Sequence, residues 1–200
     1  MSTSSFSCLL LRTLMTFFFL VPFTSSISFR FPSFDPNSTT LFYEGDASVF
    51  NGAIQMNDYE YFARNGRITY SHRVPIWDSA TQRLTRLTDF TTHFVFSITT
   101  LGNPIYGHGL VFYRAAPDFD TPQNSNGGFL GMFNTTTLGT PSRNQIVTVE
   151  FDTYVNTPWD PPVPHTGICV NTLASVKYLP WNISLHNGFK ANAWVDYSSS

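Results

Sequence analysis

The sequence predicts an all-β domain, a sandwich or a barrel, and three observations predict it. Apolar residues recur at every second position in several short stretches, no stretch sustains a helical period, and polar turns separate the stretches. Charged residues make up only 12% of the chain, about half the usual share of roughly 25%. Aromatic residues reach 16%, with 20 Phe. Ser, Thr and Asn supply the polarity instead, which suits sheets whose outward faces carry neutral hydroxyl and amide groups.

The start of the chain does not belong to that fold. Leu14 to Phe23 is an apolar run of ten, preceded by Arg12 and followed by the small residues Thr24, Ser25 and Ser26. This is the layout of a secretory signal over residues 1–26, cleaved near residues 26–28. Ten residues fall well short of the roughly 20 that a spanning helix needs. No second apolar stretch follows, so no membrane span is expected, and residues 27–200 form one domain. Sequons at Asn37, Asn134 and Asn182 agree with secretion. The balance after the signal is 10 Lys and Arg against 13 Asp and Glu, and the absence of any basic run argues against nucleic acid as a partner. Cys8 lies in the signal, leaving Cys169 alone as a small apolar side chain between Ile168 and Val170.

The strands follow in order. Ser28–Phe31 opens the series, and Ala47–Met56 is a hairpin broken at Asn51-Gly52, a pair that tolerates positive φ at both turn positions. Arg67–Tyr70 comes next. Asp89–Thr99 sets Phe90, Phe94, Phe96 and Ile98 on one face. Gly109–Tyr113, Gln145–Tyr154, Gly167–Asn171 and Ala193–Tyr197 complete the set, joined by loops such as Ala116–Gly128 and Asn156–Pro164.

The stretch Gln145–Gly167 carries the chemistry. Along its strand, Val147, Val149 and Phe151 are expected to face the core, while Thr148, Glu150 and Asp152 face the other way. Two carboxylates on one side, about 7 Å apart, repel unless a positive group stands by them. Asn156, Asp160 and His165 then return oxygen and nitrogen donors to the same neighbourhood through a proline-stiffened loop. Oxygen-rich donors suit Ca²⁺, and a mixed carboxylate–imidazole set suits Mn²⁺ or a similar ion. Taken singly, each of these residues would read as ordinary surface polarity; their spacing as a set points to metal.

The run VTVEFDTYVNTPWDP…HTGICVN resembles the metal-loop signature of the legume lectins, found in seed agglutinins and in ectodomains of lectin receptor kinases. SISFRFPSFDP, YEGDASVFNGAIQM, GRITYSHRVPIWDSAT, FVFSI, GHGLVFYRAAP and GGFLGMFN extend the resemblance from Ser28 to the end. It implies a concanavalin-like jelly-roll sandwich. It implies Mn²⁺ held by Glu150, Asp152, Asp160 and His165, and Ca²⁺ held by Asp152, the Tyr154 carbonyl, Asn156 and Asp160. It further implies a saccharide site beside the calcium, with a donor from the Asn156 amide, another from the Gly128 N–H, and the Tyr154 ring stacked on the sugar. Glycans or glycoproteins are the expected partners, the family commonly forms back-to-back homodimers without the sequence fixing the oligomeric state here, and the expected location is secreted or at the extracellular face of the plasma membrane.

Three departures qualify the resemblance. The family's sugar-accepting aspartate is replaced here by His108, whose neutral ring offers one acceptor where a carboxylate accepts two hydrogen bonds. Cys169 stands where the family has aspartate. Ala193–Ser200 stops where the family continues with several more strands, so an incomplete sandwich with open edges and uncovered core is expected. An enzyme is not expected: Glu150-Phe151-Asp152-Thr153-Tyr154 ends in tyrosine where a β-glucanase strand has its further carboxyl group. The alternative is a metal-stabilised lectin-like scaffold that binds a protein, peptide or apolar ligand.

Overall fold

The computed structural model describes residues 26–76 and 88–199. The proposed signal therefore lies outside the described residues, apart from Ser26. The chain divides into two units, residues 1–32 and 33–200. In the first, residues 26–32 adopt no regular secondary structure, so the strand expected at Ser28–Phe31 is not formed. Alternation over four residues is a weak signal, because a strand needs a ladder as well as a pattern.

Among the described residues of the second unit, most of the regular structure is antiparallel strand. β1 (Leu41–Gly45) pairs with β4 (Gly66–Tyr70), and β2 (Ser48–Phe50) with β3 (Ala53–Gln55). The β2–β3 turn is Asn51-Gly52, with φ of 51° and 74°, as the dipeptide predicts. β5 (Phe90–Phe96) pairs with the distant β10 (Ala191–Tyr197). The largest sheet runs in the order β6 (Gly109–Ala115), β7 (Ile146–Asp152), β8 (His165–Val170) and β9 (Ser175–Pro180). A single helical turn, α1 (Thr135–Leu138), is closed by a capping box on Asn134, whose side chain accepts from the Thr136 and Thr137 N–H groups. β1 and β9 carry no period-two alternation, and sequence reasoning missed both. The run Ser-Val-Lys-Tyr-Leu-Pro mixes charge, aromatic and proline in a way that reads as loop.

The four-stranded sheet corrects one expectation. Its strands alternate as predicted, but burial is reversed between the faces. Glu150 and Asp152 are each 1% exposed, whereas Val147 is 46% and Ile168 45% exposed. The polar side is covered by the long connection between β6 and β7, whose Met132 and Phe133 join Ile146 and Leu173 in the best-packed core cluster. The apolar side meets β5 over only part of its width. There Phe94 stacks on Phe112 at 5.9 Å, and Phe96 packs on Phe151 at 4.7 Å. Val170 and Leu179 lie beyond that contact and stay exposed.

Candidate functional site

The register of the sheet brings the predicted residues together. Asp152 at the end of β7 lies opposite His165 at the start of β8 and opposite Gly109 at the start of β6. Glu150 sits two residues back, on the same covered face. His165 has one oxygen neighbour on each ring nitrogen: Nδ1 lies 3.2 Å from the Val163 carbonyl oxygen, and Nε2 lies 2.9 Å from Glu150 Oε1. A carbonyl oxygen only accepts, so Nδ1 carries a proton, and one further proton or cation has to lie between Nε2 and the carboxylate. The Ser175 hydroxyl donates to the same Oε1 at 2.5 Å. Ser175 was not predicted; it lies at the start of the missed strand β9.

Asp152 Oδ1 accepts the Tyr154 N–H at 2.7 Å, and Asp160 Oδ2 accepts the Asn156 N–H at 2.5 Å. These bonds fold residues 152–160 into a tight loop. Burial pushes the Asp152 carboxyl up to about 8, helped by the charges of Asp160 and Glu150 and opposed by the Tyr154 N–H. Asp160 is raised by burial and by Glu150, while the Asn156 N–H, His165 and His108 pull it down. Glu150 and Asp152 are thus buried beside the half-buried Asp160, and histidines rather than Lys or Arg lie next to them. Among the described residues, the ion pairs of Lys or Arg lie elsewhere, at Arg64–Asp46 and Arg67–Glu44.

The saccharide candidates meet on the rim of this cluster. His108 precedes β6 by one residue, and the Thr153 N–H reaches its carbonyl oxygen at 3.4 Å. The Thr153 hydroxyl also donates to the Gly107 carbonyl. His108 Nδ1 lies 3.2 Å from Asn156 Oδ1, and its ring meets the Tyr154 ring edge-on at 4.8 Å. Gly128, in the 3₁₀ turn Gly127–Phe129, lies flat against the Asn156 amide, so that a Cβ there would overlap it. Tyr154 is 43% exposed. An aromatic ring, an amide, an imidazole and a backbone turn are therefore clustered against one another. Two cavities of about 360 and 420 Å³ lie away from it, one beside Asp46 and Asp58 and the other beside Met132 and Arg143. Neither touches the clustered donors, and the chemistry follows the donors rather than the volume.

The donor types fit the two implied ions: buried carboxylates, an imidazole oriented through its far nitrogen, and an amide oxygen. Among the described residues, no three His, Cys, Asp or Glu side chains are arranged to hold one ion. The fit is one of donor chemistry and burial, without a preformed cage. Asn37 and Asn182 are exposed, as a glycan requires, whereas the Asn134 side chain is engaged in the α1 cap and donates from Nδ2 to the Gln123 carbonyl at 3.0 Å. Cys169 is 1% exposed, and burial pushes its thiol up to about 12, in keeping with a packing role.

A family model for the legume lectin domain matches residues 26–200. The chain belongs to the legume lectin domain family. This legume lectin domain is 38% identical over 191 residues to the L-type lectin-domain containing receptor kinase IX.1 of Arabidopsis thaliana, covering 94% of this chain and 29% of that one. It is 37% identical over 194 residues to Lectin 7 of Medicago truncatula, covering 94% and 71%. The solved structure of lectin UEA-II complexed with galactose aligns with a TM-score of 0.76 at 33% identity, covering 88% of this chain and 74% of that one. The chain thus spans less than a third of the receptor kinase's length. The all-β sandwich is that of the family. Lectins bind without turnover, so this legume lectin domain is a binding module and not an enzyme. Among the described residues, no helix is long and apolar enough to cross a membrane.

Proposed function

We propose that this lectin domain is a secreted saccharide-binding module whose site is bordered by His108, Gly128, Tyr154 and Asn156. Calcium is held by Asp152, the Tyr154 carbonyl, Asn156 and Asp160, and manganese by Glu150, Asp152, Asp160 and His165. The single observation that carries the reading is the buried carboxyl pair Glu150 and Asp152, with the half-buried Asp160 and two histidines beside it and no Lys or Arg paired to any of the three among the described residues. Such a set costs stability unless cations neutralise it.

When bound, the ions supply positive charge that lets the carboxyl groups ionise without repulsion and stiffens the loop from Thr153 to Asp160. The protein's own residues do the recognising. Gly128 allows the backbone to approach the Asn156 amide, and the exposed Tyr154 ring offers an apolar plate to one face of a pyranose. A stiff loop loses little freedom on binding, which preserves affinity for a small ligand. Asn37 and Asn182 carry the glycans in this reading.

The test is elemental analysis of the folded protein together with a glycan array run with and without chelator. Calcium and manganese near one per chain, and array signals that vanish with chelator, are expected; folded protein with neither ion and no chelator-sensitive signal overturns the reading. One observation favours the alternative of a protein or apolar ligand: Val147, Ile168, Val170 and Leu179 stand exposed on one side of the large sheet. Inhibition by free sugars separates the two, since such a partner would be indifferent to them.

A further inference from the structure

We infer that the cavity at the end of the β6–β7 ladder is a second binding site, for a small zwitterion with an apolar body: an α-amino acid with an aromatic or large aliphatic side chain. The inference is independent of the saccharide reading, because the cavity touches none of the residues placed in that site or in its metal cluster.

The two walls come from chain that leaves the ladder together and then diverges. The Ala116 N–H still reaches the Gln145 carbonyl oxygen at 3.3 Å. Beyond that bond, one wall runs on through Asp118, Phe119 and Asp120, and the other runs back through Asn144 and Arg143. Both walls are held in place. Arg67, whose charge is matched by Glu44, donates from Nη1 to the Phe119 carbonyl at 3.1 Å and lies over the Phe119 ring at 5.5 Å. Opposite, Asn144 donates from Nδ2 to the carbonyls of Thr137 and Asn171, and it closes the 3₁₀ turn Pro141–Arg143. The floor is the packed cluster of Met132, Phe133 and Ile146. The volume, about 420 Å³, lies at the small end of the roughly 300–1,000 Å³ usual for small-molecule sites.

Charge selects the ligand. Asp118 and Asp120 stand exposed on one wall and Arg143 on the other, and among the described residues none of the three enters an ion pair. A carboxylate suits the guanidinium, which can grip it with two parallel N–H···O bonds, and an ammonium suits the aspartates. A simple anion would meet the two carboxylates, and a simple cation would meet the arginine. A zwitterion satisfies both walls at once. Its side chain then lies on the apolar floor, where burial favours an aromatic or large aliphatic group. Because the walls are already fixed, little order has to be imposed on binding.

Ligand-observed NMR by saturation transfer, on the full chain at neutral pH, decides it. Phenylalanine is expected to bind. Phenylalaninamide lacks the carboxylate, N-acetylphenylalanine lacks the ammonium and glycine lacks the apolar body, and each is expected to bind at least about tenfold more weakly. Two surface variants place the ligand. Arg143→Gln is expected to weaken phenylalanine about tenfold while leaving the amide unchanged, and Asp118→Asn with Asp120→Asn to do the same while leaving the N-acetyl compound unchanged. The inference is overturned by a wild type that does not bind phenylalanine, by equal binding of phenylalanine and its two blocked forms, or by variants that bind it as the wild type does. Displacement of phenylalanine by galactose also overturns it, since the ligand would then occupy the saccharide site. Both variants are expected to keep the wild type's signals on a glycan array, so a failure of either reading leaves the other standing.

Discussion

The two faces of the β6–β9 sheet share the same backbone and invert the usual relation between polarity and burial. On one face, Thr148, Glu150, Asp152 and His165 are fully buried; on the other, Val147, Ile168, Val170 and Leu179 are exposed. Alternation along a strand decides which residues share a face, but it does not decide which face is covered. Coverage is set here by the chain between β6 and β7 and by the loop from Thr153 to Pro164, which fold over the carboxylates. Burying ionisable groups costs stability, and the polar face is where the proposed site lies.

Three experiments would break or sharpen this contrast. The largest effect is expected from Glu150→Ala, which strands the His165 ring and the Ser175 hydroxyl in a dry space. A loss of about 3–5 kcal/mol in denaturant unfolding is expected for breaking such a buried pair; a loss near that of a surface substitution would mean the polar face is wetter than its geometry. The next concerns pH in protein stripped of metal. Asp152 is raised by burial from its ordinary range to about 8, so the native state holds a proton that the unfolded state gives up. Its contribution is whole below pH 4 and is lost as pH rises through about 8. Melting temperature in chelator is expected to fall across that window and to fall less when calcium and manganese are added; a rise with pH would contradict the assignment. The smallest comparison uses neighbours in sequence. Ile146→Ala, in the covered cluster, is expected to cost about 2–4 kcal/mol, and Val147→Ala, on the exposed side, about 1 kcal/mol or less. Equal costs would show that the apolar face is covered in solution.

Much of this was legible in the sequence because it is local. The Asn51-Gly52 turn, the alternation of Phe90, Phe94 and Phe96, and the strand Ile146–Asp152 depend on neighbours along the chain. Glu150, Asp152, Asn156, Asp160 and His165 fall within sixteen positions, so one strand and one loop place them all. His108 and Gly128 could be assigned only through family resemblance, because their approach to Asn156 depends on how β6 registers against β7. Ser175 left no local signal, since its reach to Glu150 depends on two strand pairings in succession. The reversed burial was illegible for the same reason: a covering segment announces itself only once the whole sheet exists.

The pairing of β5 with β10 has a consequence for how the chain is made. His93 and Asn192 bond across a separation of 99 residues, and Phe94 lies opposite Ala193. A ribosome adding about 5–20 residues per second needs roughly 5–20 s to deliver β10 after β5 has emerged. Through that interval Phe90, Phe94 and Phe96 wait without their partner strand, a phenylalanine-rich ribbon offered to chaperones.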